Sequence, residues 1–255
     1  MPELDDSLFD PKLREAVAAA WKDPENFEAR VKALWKEVAP GVFMCQFLDP
    51  VKLEKLRAYL EKAAEANIPT RPPYGIVLNR KGFMLDQRSV GYLAIPQFQD
   101  FYQNVLDSYM RPIARLLFPE FLTPAMDSES FGFSIQYQAA TDKSIRPHSD
   151  ASSITLNFNL NLPSESFTGS SLYFYDNGQT HTVEFAPGVA VMHRGATMHA
   201  ALPIESGQRT NMVLWLYGKH GQTSTYPHGG PNLSPRARWT KPEASNGPVD
   251  KWSPF

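Results

Sequence analysis

Four side chains have the types and spacing to do chemistry together: His148, Asp150, His199 and Arg209. They stand in Pro147-His148-Ser149-Asp150-Ala151-Ser152, in Met192-His193-Arg194-Gly195-Ala196-Thr197-Met198-His199, and in Gly207-Gln208-Arg209. His148 and Asp150 are two apart, so on extended backbone both point to one side and can reach one ion. Two imidazoles and one carboxylate suit one face of a non-haem Fe(II) and leave the opposite face open. Spacing leaves the second imidazole open between His193, which ends the apolar run Val189–Met192, and His199, which follows a glycine-containing turn and is better placed relative to Arg209. A His-x-Asp pair alone is a weak signal. An arginine entering an apolar strand is costly unless it meets an anion, and it can hold a carboxylate through two parallel charge-assisted bonds. A surface arginine beside a turn glycine is the bland alternative.

These residues need strands to position them. From Phe131 the pattern becomes strand-like. Phe131–Tyr137 alternates apolar and polar, as a half-buried strand does. Residues 153–162 place Ile154, Leu156, Phe158, Leu160 and Leu162 on one face and Thr155, Asn157, Asn159 and Asn161 on the other. The polar face suits either a barrel interior holding water, metal and a dicarboxylate or a solvated outer surface, and pattern alone does not choose. Residues 172–175, 182–185, 189–192 and 211–216 add four short strands, with turn signals at Asn177-Gly178, Pro187-Gly188 and Gly207. Many short strands at even spacing predict a β-sandwich or small barrel.

The chain before residue 131 is mostly helical in pattern. Asp10-Pro11 and Asp23-Pro24 pair an N-cap residue with a proline suited to the first helical turn. Phe27, Val31, Leu34 and Trp35 share one helical face, and Trp21 and Trp35 read as packing residues. Residues 1–40 form a helical preface closed by Pro40-Gly41. Residues 41–48 read as a strand. Asp49-Pro50 opens a helix with Val51, Leu53, Leu56, Leu60 and Ala63 along one stripe. Arg71-Pro72-Pro73 is a break, and residues 74–78 and 83–85 read as strands joined by Asn79-Arg80-Lys81-Gly82. Residues 98–118 form a long helix that Pro112 should kink or divide. Residues 218–255 are a Pro- and Gly-rich tail packed on the domain, its Arg236, Arg238 and Lys241 read as solvated charge. His181, His220 and His228 read as surface histidines.

Bulk properties exclude several classes. The formal charge of −2 and the absence of a basic block argue against a nucleic-acid partner. Cys45 is the only cysteine, so no intrachain disulfide can form. No apolar run approaches a membrane span, and the acidic N-terminus shows no secretory h-region. The expectation is an intracellular, cytoplasmic protein with no membrane partner.

Pro147–Ser152, followed by Thr155-Leu156-Asn157 and Leu160-Asn161, resembles the catalytic domain of procollagen lysyl hydroxylases and the related 2-oxoglutarate and iron-dependent oxygenase group. Both belong to the prolyl/lysyl hydroxylase branch of the Fe(II)/2-oxoglutarate oxygenases. The resemblance is clear over residues 131–217 and extends back to about residue 41, including Arg71-Pro72 to Asp86. It implies mainly β architecture with flanking helices: a double-stranded β-helix, or jelly roll, over residues 41–217. It implies Fe(II) on His148, Asp150 and His199, with His193 on a non-ligand position. It places 2-oxoglutarate against Arg209, Tyr137 and Asn157, with Thr155 a further candidate, and it leaves room for ascorbate as an accessory reductant. The implied activity is hydroxylation of a C–H bond with dioxygen, releasing succinate and CO2, on a peptidyl lysine or proline. A free amino acid or natural-product intermediate is the alternative substrate. Gly169-Ser170-Ser171 departs from the group's three glycines. A cupin-like metal protein without 2-oxoglutarate and a non-enzymatic scaffold are rival readings, and Asp150 argues against a halogenase.

Overall fold

The computed structural model describes residues 3–65, 96–140 and 143–242. The Arg71-Pro72-Pro73 break, the Asn79–Gly82 hairpin, the resemblance from Arg71 to Asp86, and the tail from residue 243 lie outside the described residues.

Helix α1 (Pro11–Lys22) starts as its sequence predicts: the Asp10 carboxylate accepts the Leu13 N–H at 3.0 Å, and Pro11 occupies the first turn. Its apolar side, Leu13, Val17 and Ala20, is buried. Helix α2 (Pro24–Leu34) follows at once. The helical pattern ends there. Lys36–Ala39 is a strand, β1, because it pairs with β2 (Val42–Gln46) across a turn in which Gly41 has a φ of +67°. Helix α3 (Leu53–Glu65) begins later than Asp49-Pro50 suggests. The Asp49 side chain accepts the Val51 N–H at 2.9 Å, which holds a turn. Val51 is therefore 80% exposed and does not join the apolar stripe. Helix α4 (Pro96–Asn104) runs through a π-helical turn (Val105–Met110) into α5 (Arg111–Leu117). Pro112 lacks an N–H, and the widened turn just before it absorbs the missing helical bond.

The strands form two antiparallel sheets. The larger runs β1-β2-β9-β5-β11-β3, where β3 is Glu129–Gln138, β5 Ile154–Asn159, β9 Val189–Arg194 and β11 Ile204–Tyr217; β6 (Phe167–Gly169) pairs with the start of β11. The smaller runs β4-β10-β7-β8, where β4 is Ile145–His148, β7 Leu172–Asp176, β8 Gln179–Val183 and β10 His199–Ala201. The architecture is the expected double-stranded β-helix with helices on one face.

Three strand expectations change. β8 begins at Gln179 rather than Thr182, because Asn177 (φ 45°) and Gly178 (φ 80°) make a two-residue left-handed turn that pairs Asp176 with Gln179 directly. Gly207 (φ 72°) does not separate strands; it sits inside the long β11 at a close approach to Ser166. β3 is not half-buried. Phe133, Ile135 and Tyr137 face inward, while Tyr102 of α4 covers the other face so closely that a Cβ on Gly132 would lie 2.8 Å from its ring.

Two apolar layers result. One lies between helices and sheet and gathers Leu13, Val17, Phe47, Phe101, Tyr109, Leu156, Phe158 and Leu214. Trp35 is buried there, and Trp21 packs against this layer while the Trp21 Nε1–H donates to Ser108 O at 2.9 Å. The other lies between the two sheets and gathers Phe133, Ile135, Leu172, Phe174, Val213 and Trp215.

Beyond β11 the chain returns to the helices. The short helix α6 (Pro235–Arg238) leads into Trp239, which is buried and donates from Nε1 to Glu28 at 3.1 Å. Arg238 is half-buried and paired with Glu28, Arg236 remains solvated beside Glu25, and Lys241 lies 5.9 Å from the Trp21 ring. The tail charges are thus not uniformly solvated. His228 is no free surface residue either: Nε2–H donates to Pro119 O and Nδ1 accepts the Gly230 N–H, both at 3.0 Å. His181 is half-buried on β8, and His220 is exposed.

Candidate metal centre and cosubstrate pocket

β4 and β10 are hydrogen-bonded neighbours, and their register sets His148 directly opposite His199. The two rings lie 4.3 Å apart. Asp150 follows β4 in a loop whose N–H donates to Gly195 O at 2.9 Å, while the Gly195 N–H donates to Ser153 O at 3.1 Å. These bonds fasten the loop carrying Asp150 to the turn that leads to His199. Only glycine fits at 195, since a Cβ there would collide with Ser152 O. Asp150 Oδ1 is 3.5 Å from His148 Nε2 and 3.8 Å from His199 Nε2. One ligand atom from each of the three residues lies within 4.8 Å of the others, and the group could hold a metal ion.

The tautomers suit that role. His148 Nδ1 faces Arg146 O at 2.8 Å and His199 Nδ1 faces Thr197 O at 3.0 Å. A carbonyl only accepts, so both Nδ1 atoms carry the proton and both Nε2 lone pairs point to the shared space. His193 is fixed the same way by Arg194 O at 2.9 Å. Its Nε2 approaches the other carboxylate oxygen, Asp150 Oδ2, at 4.0 Å, outside the three-residue group. Of the two histidines that spacing leaves open, the three-residue group includes His199, with His193 packed beneath it at 4.7 Å between ring centroids.

Electrostatics keep the carboxylate ionised and the deep imidazoles neutral. In the metal-free protein burial pushes Asp150 up, but the protonated form of His148, the nearby His199 and His193, and the Thr155 hydroxyl hold it down to about 2. Burial pulls His193 down to about 4, with His199 adding to the effect. His199 is also lowered, by burial first, with Asp150 opposing. For His148 burial is outweighed by Asp150 and the Arg146 carbonyl, and its pKa is raised.

The Thr155 hydroxyl donates to Asp150 Oδ2 at 2.6 Å and lies 2.9 Å from Ser152 Oγ, which must then donate to it. The single Thr155 proton is committed to the carboxylate, so the hydroxyl orients Asp150.

A cavity of about 310 Å³ opens beside this group. Phe133, Ile135, Leu172, Val213 and Trp215 give it apolar walls; Tyr137, Thr155 and Asn157 are polar points on them. The polar face of β5 thus lines an interior and not a solvated surface. Asn157 has a fixed amide orientation. Asn161 is anchored to backbone, accepting the Thr210 N–H at 2.9 Å and donating to Gln208 O at 2.7 Å. Asn159 then donates to Asn161 and Asn211 at 3.0 Å each, and Asn211 donates to Asn157 Oδ1 at 2.6 Å. The chain of amides leaves the Asn157 NH2 as the group available to the cavity.

Arg209 lies behind Tyr137, with Cζ 4.2 Å from that ring and 5.2 Å from Phe185. It is 0% exposed. Nη1–H donates to Ser170 O, while Nε and Nη2 meet no acceptor among the described residues. A buried guanidinium with two unpaired nitrogens is costly and calls for an anion. Two imidazoles with a carboxylate for a divalent ion, and an orphaned guanidinium for a carboxylate, fit Fe(II) and 2-oxoglutarate. Sequence alone assigns no site role to Asn211 or Ser170; the signals were a polar residue opening the apolar run 211–216 and the departure at Gly169-Ser170-Ser171.

A double-stranded β-helix with an open two-His, one-carboxylate group defines a class, and the comparisons with known proteins agree. Residues 123–217 match the 2OG-Fe(II) oxygenase superfamily, and this segment, which holds all four residues, is a 2OG-Fe(II) oxygenase domain, a class that takes Fe(II) and 2-oxoglutarate. The chain is 29% identical over 225 residues to 2-oxoglutarate and iron-dependent oxygenase domain-containing protein 2 of Xenopus tropicalis, covering 84% of this chain and 59% of that protein. It is 31% identical over 138 residues to the human multifunctional procollagen lysine hydroxylase and glycosyltransferase, covering 52% of this chain and 17% of that one. A prolyl hydroxylase from Trichoplax adhaerens, solved with a hypoxia inducible factor oxygen degradation domain peptide fragment, shares the fold with a TM-score of 0.51 at 12% identity, over 84% of this chain and 96% of that one. Among the described residues no helix is long and apolar enough to cross a membrane.

Proposed function

We propose that this protein is an Fe(II)- and 2-oxoglutarate-dependent oxygenase that hydroxylates an unactivated C–H bond of a peptidyl residue, releasing succinate and CO2. His148, Asp150 and His199 would hold the metal, and Arg209 would hold the far carboxylate of 2-oxoglutarate. When bound, the metal and cosubstrate supply the activation of dioxygen. The chain's own part is positional. Backbone carbonyls fix both imidazoles, Thr155 and His148 keep Asp150 ionised, and Asn157 offers a donor to an oxygen in the cavity. The apolar walls exclude water and side reactions.

Between the two peptidyl residues expected, the cavity favours proline. Among the described residues, Asp150 is the only carboxylate lining it, and that carboxylate is committed to the histidines. A lysine ammonium would enter without a counter-charge, whereas a pyrrolidine ring meets Phe133, Ile135 and Trp215. The peptide-bound prolyl hydroxylase that shares this fold supports a peptidyl substrate.

The observation that carries the reading is the buried Arg209 with two unpaired nitrogens in the same fold as the metal group. An anaerobic absorbance titration with Fe(II) and then 2-oxoglutarate tests it. Wild type should develop a visible charge-transfer band. Asp150→Ala should bind no metal, and Arg209→Ala should need about 30–150-fold more 2-oxoglutarate, the equivalent of ~2–3 kcal/mol for a charged hydrogen bond. Metal binding with no band would leave a cupin-like metal protein in its place.

A further inference from the structure

Ser170, between β6 and β7, carries two costs that glycine would remove. Its backbone φ is 60°, in the left-handed region that residues with a Cβ avoid. Its hydroxyl is buried in a residue 1% exposed, and Oγ meets no hydrogen-bond partner among the described residues. A strained backbone and an orphaned hydroxyl at one position point to a ligand.

The neighbour says which ligand. The Ser170 carbonyl accepts from Arg209 Nη1, so the serine and the guanidinium are held against each other. Arg209 Nε and Nη2 are unpaired as well. One hydroxyl and two guanidinium nitrogens, all able to donate, are buried on adjoining residues, with the Tyr137 side chain the other polar neighbour of the guanidinium. A carboxylate, with about four lone-pair sites on two oxygens, can satisfy all three.

We propose that Ser170 is a cosubstrate-binding residue: its hydroxyl donates to the same carboxylate of 2-oxoglutarate that Arg209 clamps. The proposal rests on the Arg209 reading given above and adds a second, neutral donor to it. It also accounts for a serine where glycine would be less strained, since only the hydroxyl adds to binding.

The test compares Ser170→Gly, Ser170→Ala and Arg209→Ala in the full chain. The 2-oxoglutarate dissociation constant is read from the anaerobic Fe(II) charge-transfer titration, Fe(II) affinity is measured separately, and melting temperature is measured on the metal-free protein. Ser170→Gly should melt at or above wild type, because strain and orphan hydroxyl are both gone, yet bind 2-oxoglutarate about 10-fold more weakly. Ser170→Ala keeps the strained φ and should melt below the glycine variant while losing the same affinity. Fe(II) affinity should not move in either. Wild-type 2-oxoglutarate binding in both serine variants, with Arg209→Ala still weakened, would overturn the Ser170 contact and leave the clamp standing. Unchanged binding in Arg209→Ala as well would remove the clamp and the proposal together. A glycine variant that melts lower and also loses Fe(II) would show a structural role and overturn the proposal too.

Discussion

The two faces of the larger sheet are equally deep in the molecule and do opposite work. On β5, Ile154, Leu156 and Phe158 face the helices; Thr155, Asn157 and Asn159 face the space between the sheets. Five of these six are at most 1% exposed. On β11 the helix side is Met212, Leu214 and Leu216, and the inner side carries Arg209, Asn211, Val213 and Trp215. Along these stretches the helix face is apolar and contributes stability through burial, about 1.5–3 kcal/mol for each large side chain. The space that the inner face looks into holds His193, the amides and the guanidinium from this sheet, and His148, Asp150 and His199 from the smaller sheet and its loop, each destabilising unless paired. Burial therefore does not separate core from site here. What separates them is whether polar groups are satisfied by the protein or left for something else to satisfy.

That division can be broken by experiment. The largest effect should come from Phe158→Ala, which empties a place packed against Phe47 at 5.4 Å and should cost ~3–5 kcal/mol in urea denaturation. The folded fraction should still bind 2-oxoglutarate with wild-type affinity, since nothing on the inner face has changed. A loss of affinity there would show that the two faces are coupled.

Acid is the second probe, because the buried imidazoles and Asp150 lie between the sheets and the apolar residues against the helices carry no such groups. His193 is buried as a neutral group with its pKa lowered to about 4 from 6.5, so the unfolded chain binds more protons between those values. Its contribution is complete above pH 6.5 and is lost as pH falls toward 4, amounting to about 3 kcal/mol. His199, also lowered, acts in the same direction, and His148, raised, opposes them. Asp150, held at about 2, adds a further loss only between its unfolded value near 3.8 and 2. Metal-free protein should show this decline in denaturation midpoints taken between pH 7 and 4, and His193→Phe should flatten it. An unchanged slope in that variant would mean the imidazole is not the group being charged.

The smallest effect sharpens the role of one hydroxyl. Thr155→Val keeps shape and removes the donor to Asp150 Oδ2. Fe(II) affinity should fall about 10-fold, in the range found for groups that orient a metal ligand, with a stability change of ~1–2 kcal/mol. If 2-oxoglutarate affinity fell and Fe(II) affinity did not, Thr155 would belong to the cosubstrate after all.

The chain itself determined the residue types of the metal group, the helix starts at Asp10-Pro11 and Asp23-Pro24, and the alternation of β5, because each is written in a few consecutive residues. A 2-residue period says that Thr155 and Asn157 share a face, but not whether that face meets water or a second sheet. The second sheet decided it. Likewise His193 and His199 are both plausible by spacing, and only the pairing of β4 with β10 brings His199 opposite His148. Val51 and the late start of α3 turned on one side-chain bond from Asp49 that competes with the helix. Arg209 shows the boundary best. Its place just before an apolar strand marks it as unusual from sequence alone. That two of its nitrogens are buried without a partner, beside a serine in the same condition, is a matter of which carbonyls and hydroxyls the fold brings near it. Local patterns are set by neighbours in the chain, whereas satisfaction of a buried donor depends on acceptors that only tertiary packing can deliver or withhold.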